Sequence, residues 1–252
     1  MSIKQKKQFV CLSGLPRTGS TLLSAILSQN PKIHAEGNSA VCQLMWDTYV
    51  SCTQNCAEQL LANKRQKTVF NLLSSIPSTY YKDISEEETI IVDKSRSWTL
   101  EPNVGLLENF VDSNIKIIVL ERPIVEIVKS FAKLYKQNGK DFNGLDFLKP
   151  MSEPLMRSKA GVDWAKKNNH KNTFLFIEYK ELVEEPEKVI ENIYEFCGWE
   201  PFEHSYTNLV VKYPENDEVY QLAGQHNIRE KIGFLENNVE LSQEVLDKIE
   251  LI

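Results

Sequence analysis

The sequence predicts an α/β fold in which a central parallel β-sheet is covered by helices on both faces. Short apolar runs rich in β-branched residues alternate along the chain with segments of helical periodicity. The apolar runs are continuous, as is typical of strands that are buried on both sides in a parallel sheet. We expect one large domain over residues 1–252, since this length exceeds one small domain and falls short of two full ones.

The predicted strands follow from apolar runs rich in Ile, Val, Leu and Phe. In chain order they lie at residues 9–13, 89–93, 115–120 and 173–177. The run at residues 115–120 is the clearest of them. The first run is followed by a glycine-containing turn, which leads directly into the first helical segment.

Helical periodicity fills the intervals between these strands. In chain order the predicted helices lie at about residues 20–29, 40–62, 100–111, 123–137, 152–168, 187–197 and 242–249. Pro102 fits the first turn of its helix, Pro123 fits a first helical position, and Ser242 fits an N-cap. Residues 138–150 form a predicted loop rich in Gly and Asn. Residues 206–240 have weak periodicity and many polar residues, which predicts an ordered lid or a mobile loop.

Composition and charge exclude several classes of protein. Hydrophobic residues make up 42% of the chain and charged residues 25%, which excludes a disordered or fibrous protein. The net charge of −6 differs from that of a generally basic nucleic-acid-binding protein. Uncharged apolar runs such as residues 117–120 are far shorter than the ~18 residues of a membrane span.

The N-terminus does not resemble a signal peptide. Residues 1–7 are basic, but the apolar stretch after them, residues 9–12, is too short for a signal-peptide core. We therefore expect a soluble, cytoplasmic protein with neither a nucleic-acid nor a membrane partner.

The cysteines predict neither a disulfide framework nor a zinc site. They are Cys11, Cys42, Cys52, Cys56 and Cys197. Their number is odd, their density is low, and no CxxC pair occurs. Cys52 and Cys56 could share a helix face, but no His or further Cys completes a zinc set. We expect free thiols and no metal ion.

A candidate phosphate-binding loop connects the first predicted strand to the first helix, with the sequence Gly14-Leu15-Pro16-Arg17-Thr18-Gly19-Ser20-Thr21. Its glycines let backbone N–H groups turn inward, the helix start adds the positive end of its dipole, and Ser20 and Thr21 add hydroxyl groups. The glycine spacing matches the Walker pattern GxxxxGK[ST], but Ser20 replaces the lysine and Arg17 supplies the cation. The loop predicts a P-loop-containing nucleotide-binding fold, and without that lysine it suits a ligand with a single 5′ phosphate. A plain strand-to-helix turn with a glycine cap is the alternative.

The segment PRTGSTLL at residues 16–23 resembles the 5′-phosphosulfate loop of sulfotransferases that use 3′-phosphoadenosine 5′-phosphosulfate (PAPS). Its form is closest to the protein-tyrosine and Golgi carbohydrate branches, whereas the cytosolic small-molecule branch usually has Lys in place of Arg17. The resemblance implies a short, soluble member of the PAPS-dependent family. It also implies that the donor is bound by Pro16, Arg17, Thr18, Gly19, Ser20 and Thr21.

A second motif, KIIVLERP at residues 116–123, runs from a predicted strand into a helix that carries Ser130. An Arg at the carboxyl end of a parallel strand lies where ligands bind in α/β sheets, and its guanidinium can hold a phosphate with two hydrogen bonds. On residues alone, such an Arg and Ser are common. The stretch resembles, however, the sulfotransferase 3′-phosphate motif. The resemblance implies that Arg122 and Ser130 bind the 3′-phosphate.

The resemblance extends over residues 9–199 in the order of the elements. IVDKS at residues 91–95 resembles the strand that ends in the family's catalytic lysine, here Lys94. TFLFIEYKEL at residues 173–182 resembles the strand whose tyrosine lies beside the nucleotide, here Tyr179. The family also supplies a basic residue from a C-terminal loop, for which Arg229 and Lys231 are the candidates.

Sulfuryl transfer is an in-line displacement at sulfur by an acceptor hydroxyl or amine, with adenosine 3′,5′-bisphosphate as the leaving group and no metal requirement. Arg17 and Lys94 are suited to stabilise charge on the bridging and sulfonate oxygens. A Glu is the base in the protein-tyrosine branch, and Glu36 corresponds to it. His34 is the alternative, although a lone loop His is more often a surface residue. The cytosolic branch instead uses a His after the lysine strand, and residues 95–98 contain none.

Other assignments remain open from the sequence. Asp93 at the end of its strand imitates the Mg²⁺-binding Asp of a P-loop nucleotide kinase or NTPase, and a non-catalytic nucleotide-binding module would keep the same fold. The acceptor also stays open among small alcohols, carbohydrates, lipids and tyrosine peptides, as does the oligomeric state. The aromatic residues that could line a pocket or pack in the core are Trp46, Tyr49, Tyr80, Tyr81, Trp98 and Tyr135.

Overall fold

A computed structural model describes residues 7–235 and 237–252. Within them, parallel strands form one five-stranded sheet in the order β2-β3-β1-β4-β5. The strands are β1 (Gln8–Gly14), β2 (Ile33–His34), β3 (Ile90–Lys94), β4 (Lys116–Glu121) and β5 (Phe174–Glu178). The predicted parallel sheet is confirmed, while the basic residues 1–6 lie outside the described part of the chain.

Helices surround this sheet. They are α1 (Ser20–Leu27), α2 (Val41–Val50), α3 (Ala57–Ala62), α4 (Lys67–Tyr80), α5 (Glu101–Phe110), α6 (Ile124–Gln137), α7 (Gly144–Phe147), α8 (Met156–Lys167), α9 (Tyr179–Glu184), α10 (Pro186–Cys197) and α11 (Gln243–Glu250). A π-helical turn (Ser51–Asn55) follows α2, and a 3-10 turn (Arg96–Thr99) follows β3.

Two hydrophobic clusters lie on opposite faces of the sheet, because successive strand residues point to opposite faces. On β1, Cys11 belongs to one cluster, and Val10 and Leu12 belong to the other. The first cluster is closed by α2, α4, α5, α6 and α8, and the second by α1, α9 and α10. Helices therefore cover both faces, as the continuous apolar runs predict.

The single helix predicted at residues 40–62 is wrong, since α2 and α3 are separated by the π-helical turn. In that turn the amide of Cys56 donates to the carbonyl of Ser51 at 2.9 Å, one residue further than in an α-helix. Thr53 Oγ1 also donates to the carbonyl of Tyr49 at 2.7 Å. Hydroxyl side chains that bond to nearby carbonyls compete with the helical ladder, which explains the break.

Apart from the π-helical and 3-10 turns, four elements of the described chain have no counterpart in the sequence prediction: β2, α4, α7 and α9. β2 has 2 residues and α7 has 4, too few to show a period. α4 contains Pro77, a residue that normally ends a helix. α9 begins with a capping box formed by Glu178 and Glu181, directly after β5.

Two predicted helix starts are also displaced. Pro123 is the N-cap residue, with φ −52° and ψ 133°, and α6 begins one position later. α8 begins at Met156 rather than near residue 152. Pro154 lies in between, and the residue before a proline is disfavoured in helical conformation.

The thiols of the described chain are free. Cys11, Cys42, Cys52 and Cys197 are buried. Burial raises the pKa of Cys42 and of Cys197 to about 12. Such thiols are poor nucleophiles, so they contribute to packing rather than to chemistry.

In the described part of residues 206–240 there is no helix or extended strand. An isolated antiparallel bridge joins Thr207 to Lys231. Elsewhere, no described helix combines the length and apolarity that a membrane crossing requires.

Candidate active site

The carboxyl ends of β1, β3 and β4 meet at one edge of the sheet, and a cavity of about 490 Å³ opens there. Leu12 on β1 pairs in register with Lys94 on β3, and Gly14 pairs with Leu120 on β4. The residues that follow β1 and β4 are therefore neighbours. Ligands of open α/β sheets bind at this edge, so the topology collects distant parts of the chain around one cavity.

The cavity brings together most of the predicted site residues. Its walls include Pro16, Arg17, Gly19, Ser20, Thr21, Lys94, Arg122, Ser130, Tyr179, Arg229 and Lys231. Thr18 is buried instead, and its hydroxyl donates to the carbonyl of Leu15 at 2.7 Å, so its side chain stabilises the loop. Glu36 lines a small adjoining pocket that shares Thr21 and Lys94 with the cavity.

Gly14 and Gly19 are required by the backbone of the loop. Their φ angles are +122° and +84°, in the region that favours glycine. A Cβ on Gly14 would lie 2.1 Å from the carbonyl oxygen of Leu120, and one on Gly19 would lie 3.0 Å from the ring of Tyr179. The loop thus packs directly on β4 and α9. This packing sets the N-terminus of α1 at the cavity wall, where its dipole favours an anion.

Two arginines lie beside each other at the cavity. Arg17 Nε donates to Ser130 Oγ at 3.1 Å, and another of its nitrogens donates to the carbonyl oxygen of Gln225. Arg122 donates to the backbone carbonyl of Arg17 at 3.0 Å and, through Nε, to Glu126 at 2.9 Å. Burial and the charge of Arg122 lower the pKa of Arg17. Two adjacent guanidinium groups favour a phosphate, which can accept hydrogen bonds from both.

The remaining predicted donor residues surround these arginines. The guanidinium of Arg122 stacks over the ring of Tyr179 at 4.3 Å, which fixes its plane. Arg229 is exposed and donates to the carbonyl of Gly233 at 2.6 Å. Lys231 is exposed as well, on the cavity wall.

Lys94 lies at the end of β3 and is 4% exposed. Its Nζ lies 2.8 Å from Glu215 Oε1. Burial lowers the pKa of Lys94, and the charge of Glu215 opposes that effect. Burial would raise the pKa of Glu215, but the charge and hydrogen bond of Lys94 outweigh it, so this pKa lies below its usual value. The amine predicted to serve catalysis is thus neutralised by a carboxylate of the same chain.

Glu215 belongs to an acidic cluster in residues 206–240 that sequence reasoning missed. His226 Nδ1 lies 2.5 Å from Asp217 Oδ1, and its Nε2 lies 3.4 Å from Glu215 Oε1. The hydroxyl of Tyr220 lies 3.4 Å from Glu215 Oε2. These residues carry no motif, and only contact across the fold relates them to Lys94.

His34 is not the surface residue that the sequence indicates. It ends β2 and is 5% exposed. Its Nε2 lies 3.2 Å from Glu36 Oε2, and its Nδ1 lies 3.3 Å from Glu88 Oε2. The two predicted base candidates are therefore in contact. Glu88, which the sequence analysis did not single out, is the third member of the group.

Asp93 lies in the core rather than at the phosphate loop. It is fully buried, the hydroxyl of Tyr81 donates to its Oδ2 at 2.8 Å, and Trp98 Nε1 donates to its Oδ1 at 2.6 Å. A carboxylate held by two core aromatics is poorly placed to bind Mg²⁺ beside a nucleotide, which disfavours the NTPase alternative. None of the six aromatic residues singled out in the sequence lines the described cavity.

Sequence and structure comparisons point to one family. Residues 10–204 match the sulfotransferase family. A comparison with curated protein sequences gives no match. The sulfotransferase domain from the Synechococcus PCC 7002 olefin synthase superposes with a TM-score of 0.53 at 18% identity, covering 98% of this chain and 95% of that one. A sulfotransferase from Alicyclobacillus acidocaldarius gives a TM-score of 0.52 at 13% identity, covering 84% of this chain and 87% of that one. At these identities the two structures show a shared fold.

Proposed function

Because the chain belongs to the sulfotransferase family, we propose that it transfers a sulfuryl group from PAPS to an acceptor hydroxyl or amine. One contact carries the proposal: Arg17 Nε donates to Ser130 Oγ at 3.1 Å. This bond joins the loop after β1 to the Arg122/Ser130 pair after β4. The two phosphate motifs therefore form one surface, which suits a ligand with phosphate groups at both its 5′ and 3′ positions.

The donor set of the cavity fits such a ligand. Arg17, the hydroxyl groups of Ser20 and Thr21 and the N-terminus of α1 would hold the 5′-phosphosulfate. Arg122 and Ser130 would hold the 3′-phosphate. When bound, PAPS supplies a sulfuryl group attached to a phosphate leaving group. Arg229 or Lys231 would add a further cation.

Catalysis would require charge neutralisation and proton removal from the acceptor. Lys94 and Arg17 would stabilise the negative charge that develops on the leaving oxygen. Glu36, in the pocket that shares Lys94, would take the proton of the acceptor. Lys94 must first exchange its bond to Glu215 for one to the ligand.

Residues 206–240 would act as the lid of a single-domain enzyme. Two groups of this segment already bind the cations that the donor needs. Glu215 pairs with Lys94, and the carbonyl of Gln225 accepts a hydrogen bond from Arg17. The segment would therefore rearrange when the donor binds.

The acceptor in this proposal is a small molecule, a carbohydrate or a peptide. The PRTGSTLL loop favours the protein-tyrosine and Golgi carbohydrate branches. The free thiols suit the reducing cytoplasm, where we place the reaction.

Calorimetry with adenosine 3′,5′-bisphosphate, AMP, ADP and ATP tests the proposal. We expect the bisphosphate to bind most tightly and the affinity to fall when the 3′-phosphate is absent. Equal affinity for ADP would instead favour a nucleotide kinase or NTPase. A non-catalytic module is excluded if Lys94→Ala abolishes turnover of PAPS while donor binding persists.

A further inference from the structure

The imidazole of His34 is held between two carboxylates next to the cavity. Its Nε2 faces Glu36 at 3.2 Å and its Nδ1 faces Glu88 at 3.3 Å. Its ring packs against Tyr213 and Tyr81, with centroid distances of 4.4 and 5.7 Å. We refer to this arrangement as the Glu36–His34–Glu88 chain. Both ring nitrogens are engaged, so the position of each proton on the ring is constrained.

Glu88 is the ionised end of this chain. Its side chain is 8% exposed, and its Oε1 accepts hydrogen bonds from the hydroxyl of Tyr213 and, at 3.0 Å, from Lys212 Nζ. Burial would raise the pKa of Glu88, but these bonds and His34 outweigh it and hold the pKa below its usual value. Its Oε2 is therefore an acceptor, and the His34 atom that faces it must be a donor. Nδ1 thus carries a proton.

The other ring nitrogen has to share a proton with Glu36. In a neutral ring with Nδ1 protonated, Nε2 presents a lone pair to a carboxylate oxygen 3.2 Å away. Two acceptors at that distance repel each other unless a proton lies between them. Glu36 and His34 together therefore form a site that gains a hydrogen bond when it takes up one proton.

We propose that Glu36 and His34 accept the proton of the sulfate acceptor as one unit, and that Glu88 is the positioning residue that fixes the ring. The inference rests on the proposed function, in which Glu36 is the base. The acceptor oxygen bonds to sulfur while the bond from sulfur to the bridging oxygen breaks, and that oxygen keeps the electron pair. The acceptor proton passes to the Glu36 carboxylate and from there to His34 Nε2. The imidazolium then lies between two carboxylates, as in triads where an acidic residue orients a histidine.

Other ionisable groups lie around the Glu36–His34–Glu88 chain. Tyr81, directly after α4, packs edge-on against His34, and its hydroxyl donates a hydrogen bond to Asp93 Oδ2. Lys212 and Tyr213 approach Glu88 from the C-terminal segment. The charge of Glu36 also acts on Lys94 and Asp93. Lys212 favours the ionised form of Glu88, which keeps Glu88 Oε2 an acceptor for His34 Nδ1.

Nitrogen-15 NMR of the histidine rings tests the inference without any acceptor. The chain has 4 histidines, and His34→Gln assigns the signal of interest. We expect Nδ1 of His34 to be protonated in the wild-type protein. Glu88→Gln removes the anion that faces Nδ1, so the ring should change to the tautomer that carries its proton on Nε2, toward Glu36. Lys212→Met is the matched control. It removes the cation next to Glu88 but leaves the carboxylate, and the tautomer should not change.

Two results would overturn the inference: a neutral wild-type ring that is protonated on Nε2, or a tautomer that ignores Glu88→Gln. If Glu88→Gln does not fold, nitrogen-15 NMR of the wild-type protein and of Glu36→Gln decides the question. Nδ1 of His34 should be protonated in both. Binding of adenosine 3′,5′-bisphosphate is measured separately by calorimetry. Absent binding refutes the proposed function, whereas the wrong tautomer with intact binding refutes only the inference.

Discussion

Lys94 Nζ lies 2.8 Å from Glu215 Oε1, although the two residues are 121 positions apart in the sequence. Lys94 is 4% exposed, so water screens this ion pair poorly. Glu215 approaches so closely that a Cβ on Gly37 would lie 2.1 Å from its Cγ. A ligand that places a sulfonate at Lys94 must therefore compete with a carboxylate that is already there.

Glu215→Gln should strengthen the binding of PAPS. The variant leaves Lys94 without its anionic partner, and a charge-assisted hydrogen bond is worth about 1.5–3 kcal/mol, so a gain of about tenfold or more is expected. Adenosine 3′,5′-bisphosphate lacks the sulfonate and should gain less. Calorimetry with both ligands measures the difference, and Glu218→Gln, an exposed residue of the same segment, is the control. If Glu215→Gln binds PAPS with unchanged affinity, Glu215 does not compete with the sulfonate for Lys94.

Arg122→Ala should mainly weaken donor binding. Its guanidinium is fixed by Tyr179 and by the carbonyl of Arg17, and loss of its contact to a phosphate should cost about 1.5–3 kcal/mol. Isothermal titration with adenosine 3′,5′-bisphosphate gives the change in Kd. Lys180→Ala removes a cation that is 67% exposed, next to Tyr179, and should have little effect. The 3′-phosphate assignment is wrong if both variants bind the ligand like the wild type.

Lys94→Met and Glu36→Gln should lower kcat and kcat/KM together while the bisphosphate still binds. Interactions made only in the transition state have this signature, and loss of a general base typically costs about 10²–10⁴-fold. Steady-state kinetics at about pH 7, within the range of about pH 5–8 in which folded proteins tend to be most stable, measures both parameters. Wild-type turnover in Glu36→Gln would assign the base elsewhere.

Gly14→Ala should prevent stable folding or destabilise the protein strongly. The new Cβ would meet the carbonyl oxygen of Leu120 at 2.1 Å, and neither backbone can move without breaking the β1–β4 pairing. Gly105→Ala is the control, since a Cβ there meets nothing within 4 Å inside α5. It should stabilise the helix by about 0.5–1 kcal/mol. Thermal unfolding of both variants tests the contrast, and two similar midpoints would disprove it.

Acid should release the C-terminal segment before it unfolds the domain. The folded-state pKa values of Glu88 and Glu215 both lie below the usual value. Such carboxyl groups stabilise the fold above their unfolded pKa of about 4.3, and this stability is lost as the pH falls through the folded pKa. Both carboxylates link the C-terminal segment to the rest of the domain. Glu88 accepts a hydrogen bond from Lys212, and Glu215 accepts one from Lys94. Hydrogen exchange between pH 7 and 3, about the range that spans these titrations, should show early loss of protection in residues 206–240. Simultaneous loss throughout the domain would speak against this order.

The sheet was predictable because its strands carry their own signal. The apolar run Ile117–Leu120 reads as a buried strand without reference to any other part of the chain, and the structure buries all four of its residues. β2 was not predictable, since Ile33 and His34 form a strand only by pairing with β3. The break after α2 depends on bonds such as that from Thr53 to Tyr49, which compete with the helix over a single turn.

In the candidate site, too, some residues could be predicted from a local motif and others only from the fold. Arg17 and Arg122 were found because each lies in a local motif, and the topology then places them in contact. Glu215 and Glu88 have no local motif. Each becomes part of the site only through a side chain more than 50 residues away in sequence, Lys94 and His34 respectively. On the sequence alone, His34 and Glu36 are therefore alternative candidates for the base, whereas the fold makes them neighbours in one group.

The register of β1 has a consequence for synthesis on the ribosome. Gln8 pairs with Ile90, and Val10 pairs with Lys116, so both neighbours of the first strand are made long after it. At about 5–20 residues per second the nascent strand would wait on the order of 5–20 s for β4. Until β3 has been made, the apolar residues of β1 have no partner in the sheet, and long-range parallel pairing is slow to form. Gly14 can close against Leu120 only after β4 has docked. The phosphate loop is thus translated before β4 but takes its final shape only after β4 has docked.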